Sequence, residues 1–361
     1  MAAPQPRPGI LDIEPYKGGN ADINDVHAVM NLSANEAALG PSPRAVEAYR
    51  AAGAELHRYP DGGVGLLRRA LAEHHGLDPE RIVCGNGSDE LITLLAQAYA
   101  GAGDEVLYNA HGFLMYGIAA RAAGATPVTA GETRYTADVD NLLAAASERT
   151  RIVFLANPNN PTGTYLAKSE VERLRAGLPD NALLVVDAAY AEFVSRNDYS
   201  PGIELVDAGD NTVMTRTFSK IYGLAGLRVG WAYAPTGIIE VVNRIRGPFN
   251  VNLAAQAAAV AALKDVAHTD AARTHNDIWL PWLSEQIAGL GLEVLPSIGN
   301  FILARFPDGD RNSTAADAWL RERHIVARRM AGYGLPEALR ITVGTEAENR
   351  AVVAALTEFM A

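Results

Sequence analysis

Between about residue 65 and residue 250, short continuous apolar runs alternate with longer segments of helical periodicity. The runs are RIVCG (81–85), DEVLY (104–108), RIVFLAN (151–157), ALLVVDAAY (182–190) and NTVMTRTFS (211–219). None shows the every-second-residue alternation of a half-exposed strand, so they read as strands buried on both faces. SDELITLLAQAYA follows the first run, MYGIAARAAG the second and KSEVERLRAGL the third, each reading as a helix. This strand–helix–strand order predicts an α/β fold with a mostly parallel central sheet.

After RGPFNVN (246–252) the pattern changes. Two helical segments, LAAQAAAVAALKD and THNDIWLPWLSEQIAGLG, lead into a smaller alternating set. That set is LEVLPSIGNFILARF, TAADAWLRERH, LRITVG and ENRAVVAALTEFMA, which reads as a second, α+β unit. A chain of 361 residues exceeds what one hydrophobic core usually serves. The expected organisation is an N-terminal arm with part of a small domain over 1–48, a large domain over 49–271 and a small C-terminal domain over 272–361. The boundary between large and small falls between 250 and 285. The alanine stripe at 254–262 reads as close helix packing, a subunit interface being one setting for it. His74 and His75 read as solvated residues at a polar helix end.

Composition narrows the function class. Formal net charge is -11, and an acidic balance argues against nucleic acid or an anionic membrane as the main partner. Cys84 is the single cysteine, so no intramolecular disulfide forms and a reducing, cytoplasmic setting is expected. The start, MAAPQPRPGILDIEPYKGG, carries proline and charge where a leader peptide needs an apolar core. No window approaches twenty uncharged apolar residues, so no membrane span is expected. No His/Cys/Asp/Glu spacing suggests a metal.

In open α/β sheets, ligands gather at the carboxyl ends of the strands. Here those ends carry GNGSDE, NAHGFLMY, NPNNPTGT, DAAY and TFSK. Ser88 can cap a helix whose first amides suit a phosphate, or simply start that helix. Asp187 ends an apolar strand and must be hydrated, capped or paired. Asn160 sits in NNPTG, which turn chemistry alone could explain. Lys220 stands between hydroxyl residues and a glycine-spaced apolar run, TRTFSKIYGLAGLRVGW. A desolvated amine there has a lowered pKa and is nucleophilic. Lysine, phosphate cradle, carboxylate, hydroxyl partner and aromatic together suit one cofactor, pyridoxal phosphate.

The chain resembles the fold-type I pyridoxal-phosphate aminotransferases along almost its whole length, and within them the branch acting on histidinol phosphate. The resemblance rests on LSANEAALGPSP, HRYPDG, GNGSDELI, ANPNNPTGT, DAAYAEF, TRTFSKIYGLAGLRVGW and LRITVGT. It implies that Lys220 carries the cofactor aldehyde as a Schiff base and then moves the substrate proton. Asp187 would pair with the pyridine nitrogen, Asn160 and Tyr190 would hold the ring oxygen, and Phe113 would stack on the ring. Ser88, Asp89 and Glu90, through backbone amides, would meet the phosphate with Thr217, Ser219 and Arg228. Tyr59 would reach the phosphate from a neighbouring subunit, implying a homodimer. Arg340, Arg328 and Tyr16 would bind the substrate anion. The family's common NENP reads NEAALG here, which alters the entrance loop.

The implied reaction passes an amino group from L-histidinol phosphate to 2-oxoglutarate, a small-molecule donor and a 2-oxo acid acceptor, in histidine biosynthesis. The same cofactor residues would serve an aromatic amino-acid aminotransferase or a decarboxylase of a phosphorylated amino acid. A non-catalytic sensor would need an attached DNA-binding module, and no basic segment is left over for one.

Overall fold

A computed structural model describes residues 4–16, 18 and 29–361. Part of the N-terminal arm, residues 1–3, 17 and 19–28, lies outside the described residues. The runs read as strands form a seven-stranded sheet. Its order is Ile82–Gly85, Gly230–Tyr233, Thr212–Thr217, Leu183–Asp187, Thr150–Ala156, Glu105–Asn109, Thr126–Ala130. All neighbours run parallel except Gly230–Tyr233, which is antiparallel to both of its own. Successive residues of the central strands enter opposite cores: Ile152 and Phe154 face one, Val153 and Leu155 the other. Burial on both faces is why these strands show no polar alternation.

The helix Ser88–Tyr99 packs against Leu114–Ala123 and Thr236–Ile245 on one face of the sheet. The alanine-rich helix Leu253–Lys264 packs against Pro43–Ala52 and Gly65–His75. Ala255, Ala258, Ala259 and Ala262 are buried there within the chain, so this part of the stripe serves internal helix packing. His75 corrects the solvated reading. Its ring stacks on Trp231 with centroids 5.1 Å apart, and burial pushes its pKa down to about 3.

A second sheet is antiparallel, in the order Glu293–Val294, Phe301–Arg305, Ala338–Thr342, Arg328–Arg329. The helices Ser313–Glu322, Glu346–Met360 and Val266–Ala288 cover it. Met30–Asn31 pairs in parallel with Ile325–Val326, tying the start of the chain to this C-terminal unit. Val266–Ala288 runs unbroken through residue 271 and links the units. No helix among the described residues is long and apolar enough to cross a membrane.

Candidate active site

The carboxyl ends of the parallel strands open into a cavity of about 320 Å³ between the two sheets. It is lined by Ser88, Asp89, Phe113, Asn160, Asp187, Tyr190, Thr217, Ser219, Lys220 and Arg228 from the large sheet side. Tyr16, Arg328 and Arg340 line it too, with Ser33, Ala34, Asn35 and Glu36 from the segment before the first long helix. Glu90 and Tyr59 are not in the lining. Glu90 turns back, its carboxylate accepting from the Asn86 amide and from Asn250 Nδ2, each at 2.6 Å. Tyr59 is 83% exposed and stacks on Phe249.

Lys220 follows the strand Thr212–Thr217 and its Nζ donates to the carbonyl of Ala34 at 3.0 Å. Burial, with Arg340 adding to it, pulls its pKa down to about 8, so the neutral amine is well populated near physiological pH. Asp187 ends the neighbouring strand and is 5% exposed. Burial pushes its pKa up to about 6, against which two hydroxyls act: Tyr116 Oη donates to Oδ2 at 2.8 Å and Thr215 Oγ1 to Oδ1 at 3.3 Å. Tyr190 accepts from Asn35 Nδ2 at 2.8 Å, and burial pushes its phenol up to about 12.

The anion cradle lies where the helix Ser88–Tyr99 begins. Ser88 is the first helical residue and not its cap; Gly87, at φ +83°, holds the capping position without a side chain. The first amides of a helix have no partner within it. A Cβ on Gly87 would lie 2.5 Å from Arg228 Nη2, and one on Gly230 would lie 2.4 Å from the Ser88 nitrogen. Glycine therefore clears the cradle and lets Arg228 close on it. Arg228 is itself left-handed at φ +54°. Its Nη1 donates to Ser219 Oγ at 3.3 Å and its Nη2 to Asp89 Oδ2 at 3.0 Å. The Asp89 carboxylate thus touches the guanidinium, contrary to an amide-only role. The pair is half exposed, so an incoming anion competes with a weak contact. Thr217 Oγ1 accepts from the Ser219 amide at 3.1 Å.

On the other wall, Arg340 and Arg328 face each other in register across adjacent strands. They are 5% and 8% exposed. Arg340 Nη2 donates to the Ser33 carbonyl at 2.6 Å, Nη1 donates to Asn160 Oδ1, and Nε has no partner among the described residues. Neither arginine has a carboxylate partner among the described residues. Arg329, adjacent in sequence, is exposed and donates to Thr314 Oγ1, which leaves Arg328 as the cavity residue of the two. Tyr16 stands over Arg328, 5.5 Å from guanidinium carbon to ring centroid, and meets Phe113 edge-on at 6.4 Å.

Sequence reasoning passed over two parts of this site. Ser33, Ala34 and Asn35 each hold a cavity residue, namely Arg340, Lys220 and Tyr190. The only local signal is the altered NEAALG loop, whose Asn35 is left-handed at φ +54°. Tyr116 was hidden in an ordinary helix pattern, three residues after Phe113.

The residues fit a phosphorylated pyridine aldehyde: a buried amine, a buried carboxylate, and a glycine-cleared helix start closed by arginine. Residues 27–356 match the family described as aminotransferase class I and II, and the chain belongs to that family. It is similar to histidinol-phosphate aminotransferase of Paramagnetospirillum magneticum, 63% identical over 361 residues, covering 100% of this chain and 99% of that protein. The enzyme of the same description from Rhodospirillum rubrum is 57% identical over 359 residues, covering 99% and 97%. Among solved structures, histidinol-phosphate aminotransferase from Sinorhizobium meliloti in complex with pyridoxal-5'-phosphate matches with a TM-score of 0.90. It is 30% identical, and the match covers 99% of this chain and 98% of that one.

Proposed function

We propose that the chain uses pyridoxal phosphate to exchange the amino group of L-histidinol phosphate with 2-oxoglutarate, a step of histidine biosynthesis. The observation that carries this reading is one cavity holding a buried lysine of lowered pKa, a buried carboxylate and two arginines with no acid partner among the described residues. When bound, pyridoxal phosphate supplies an aldehyde and a ring that takes up the electron pair released at the substrate carbon.

The chain's own residues do the rest. Asp187 would hold the ring nitrogen's proton, and Asn160 and Tyr190 would hold the ring oxygen. The cradle of Ser88, Thr217, Ser219 and Arg228 would hold the phosphate, with the Asp89 and Glu90 backbone amides beside it, and Phe113 would supply the ring platform. Lys220 Nζ, when free, would be the base that takes a proton from the substrate carbon and later gives it back. A lowered pKa suits this task because base and conjugate acid are both accessible near neutral pH. Arg340 and Arg328 would take the substrate phosphate in the first half-reaction and a carboxylate in the second. A guanidinium fork binds either anion in bidentate fashion.

We further propose a homodimer in which Tyr59 of one copy reaches the cradle of the other. Its support is the exposure of the apolar side chains Tyr59, Leu56 and Leu66, 83%, 73% and 69% exposed, with Phe249 stacked on Tyr59. A cytoplasmic setting is supported by the single cysteine, which is buried and unpaired.

Purified protein should be offered L-histidinol phosphate with 2-oxoglutarate, and glutamate measured. L-phenylalanine and L-tyrosine serve as competing donors. Turnover of the aromatic amino acids equal to that of the phosphate ester would overturn the substrate assignment. Carbon dioxide release from a phosphorylated amino acid would indicate a lyase instead.

A further inference from the structure

Tyr116 does not line the cavity, yet it touches two residues that do. Its hydroxyl donates to Asp187 Oδ2 at 2.8 Å. Its ring edge meets Phe113 with centroids 5.8 Å apart and planes at 89°. The ring is fully buried and stacked on Phe154, centroids 4.7 Å apart and planes at 5°, so it has one orientation. It sits in the first turn of the helix Leu114–Ala123, for which Phe113 is the capping residue, so platform and phenol move as one body.

The chemistry of the pair is one-sided. An ionised carboxylate only accepts, so the phenol must donate, and that bond favours the charged carboxylate over the acid. Burial pushes the phenol's own pKa well above its usual value, so it remains a donor at every working pH. The other hydroxyl on Asp187, that of Thr215, is longer at 3.3 Å. Of the remaining titratable groups facing the pair, Asp89 opposes ionisation of Asp187. Tyr190, Tyr199 and Tyr333 are all held neutral by burial, as is Tyr108, whose ring meets that of Tyr116 at 6.0 Å. Lys220 and Arg228 share the cavity.

We propose that Tyr116 is a positioning residue: its hydroxyl keeps Asp187 charged and in one orientation, and its ring edge backs Phe113. One side chain outside the cavity thereby sets both the acid and the platform for the cofactor ring. The cofactor part of this inference rests on the function proposed above; the contact with Asp187 does not.

The test uses full-length protein as wild type, Tyr116→Phe, Asp187→Asn and the double variant. The first readout is the melting temperature of cofactor-free protein at about pH 5 and about pH 8. Burial raises Asp187 above its unfolded value, so its contribution to stability is present at low pH and lost as pH rises through about 6. Without the phenol that loss grows. Tyr116→Phe should lower the melting temperature more at pH 8 than at pH 5, and Asp187→Asn should erase the difference. An equal drop at both pH values, surviving in the Asp187→Asn background, would mean a purely structural tyrosine and overturn the proposal. The second readout is the dissociation constant of pyridoxal phosphate, expected roughly tenfold weaker in Tyr116→Phe, the size of one charge-assisted hydrogen bond. Unchanged binding would also overturn it. If wild-type protein took up no pyridoxal phosphate, the fault would lie with the proposed function, and the melting comparison would still decide the contact.

Discussion

Two buried arginine sites lie among the described residues, and folding has treated them differently. Arg216, in the strand Thr212–Thr217, is 7% exposed. It is paired with Glu192, itself 9% exposed, at 3.3 Å. Its guanidinium also lies 5.7 Å from the Trp231 ring centroid. Arg340 and Arg328 are as deeply placed, but each has the other as its cross-strand neighbour and no carboxylate partner among the described residues. The bonds of Arg340 run to a carbonyl and an amide oxygen, which satisfy donors without cancelling charge. A buried charge without a counter-charge is expensive. Glu192 meets that cost for Arg216 inside the fold; for the other pair the proposed function assigns that part to an anionic substrate. The proposed function therefore assigns the first site to stability and the second to binding.

The widest separation of the two roles comes from the proposed base, Lys220. Lys220→Ala should lower turnover by roughly 10⁴-fold or more, since covalent attachment and proton transfer are both lost. Its melting temperature should hold or rise, because a desolvated amine has been removed. A steady-state assay beside a melting curve reads both, and a large drop in stability would break the assignment.

Next come the arginines. Arg216→Ala should cost roughly 3–5 kcal/mol of stability, because Glu192 is left buried and unpaired. Denaturant titration measures it. Arg340→Ala should leave stability nearly unchanged and lower kcat/KM for phosphorylated or dicarboxylate substrates by roughly 10²–10³-fold, two charge-assisted bonds' worth. If the two variants exchanged phenotypes, the division between structural and binding arginine would fail.

A smaller effect concerns acid. His75 has its pKa lowered to about 3 by burial, below its unfolded value near 6.5, so the unfolded chain binds the extra proton between those limits. Stability should therefore fall as pH drops through that window, and His75→Phe should flatten the fall while keeping the stack on Trp231. Melting curves from about pH 7 to pH 4 decide it; parallel curves would show the histidine to be uninvolved. Smallest of all is Asp89→Asn. The half-exposed pair with Arg228 should contribute no more than about 0.5 kcal/mol, a change at the limit of chemical denaturation.

What was legible in the sequence follows the range of each signal. Continuous apolar runs gave the parallel strands, and the polar groups at their ends gave Asp187, Lys220 and Asn160, because both are local. Gly230–Tyr233 was missed as a strand. VGWAY follows a glycine-rich loop, and only pairing on both sides makes it a sheet member. Thr126–Ala130 is an edge strand containing Pro127, with no continuous apolar run to announce it. His75 and the alanine stripe depend on what packs against them, which helical period alone does not say. Tyr116 looked like core because it is core; its hydroxyl meets a carboxylate 71 residues away. The loop from Ser33 to Asn35 reaches residues more than 150 positions off.

The most direct test of the account is to map the attachment point of the cofactor. Protein incubated with pyridoxal phosphate is reduced with borohydride, digested and sequenced by mass spectrometry. The account predicts one modified residue within the cavity, Lys220. A modified peptide that omits Lys220, or wild-type protein that yields none, would contradict it.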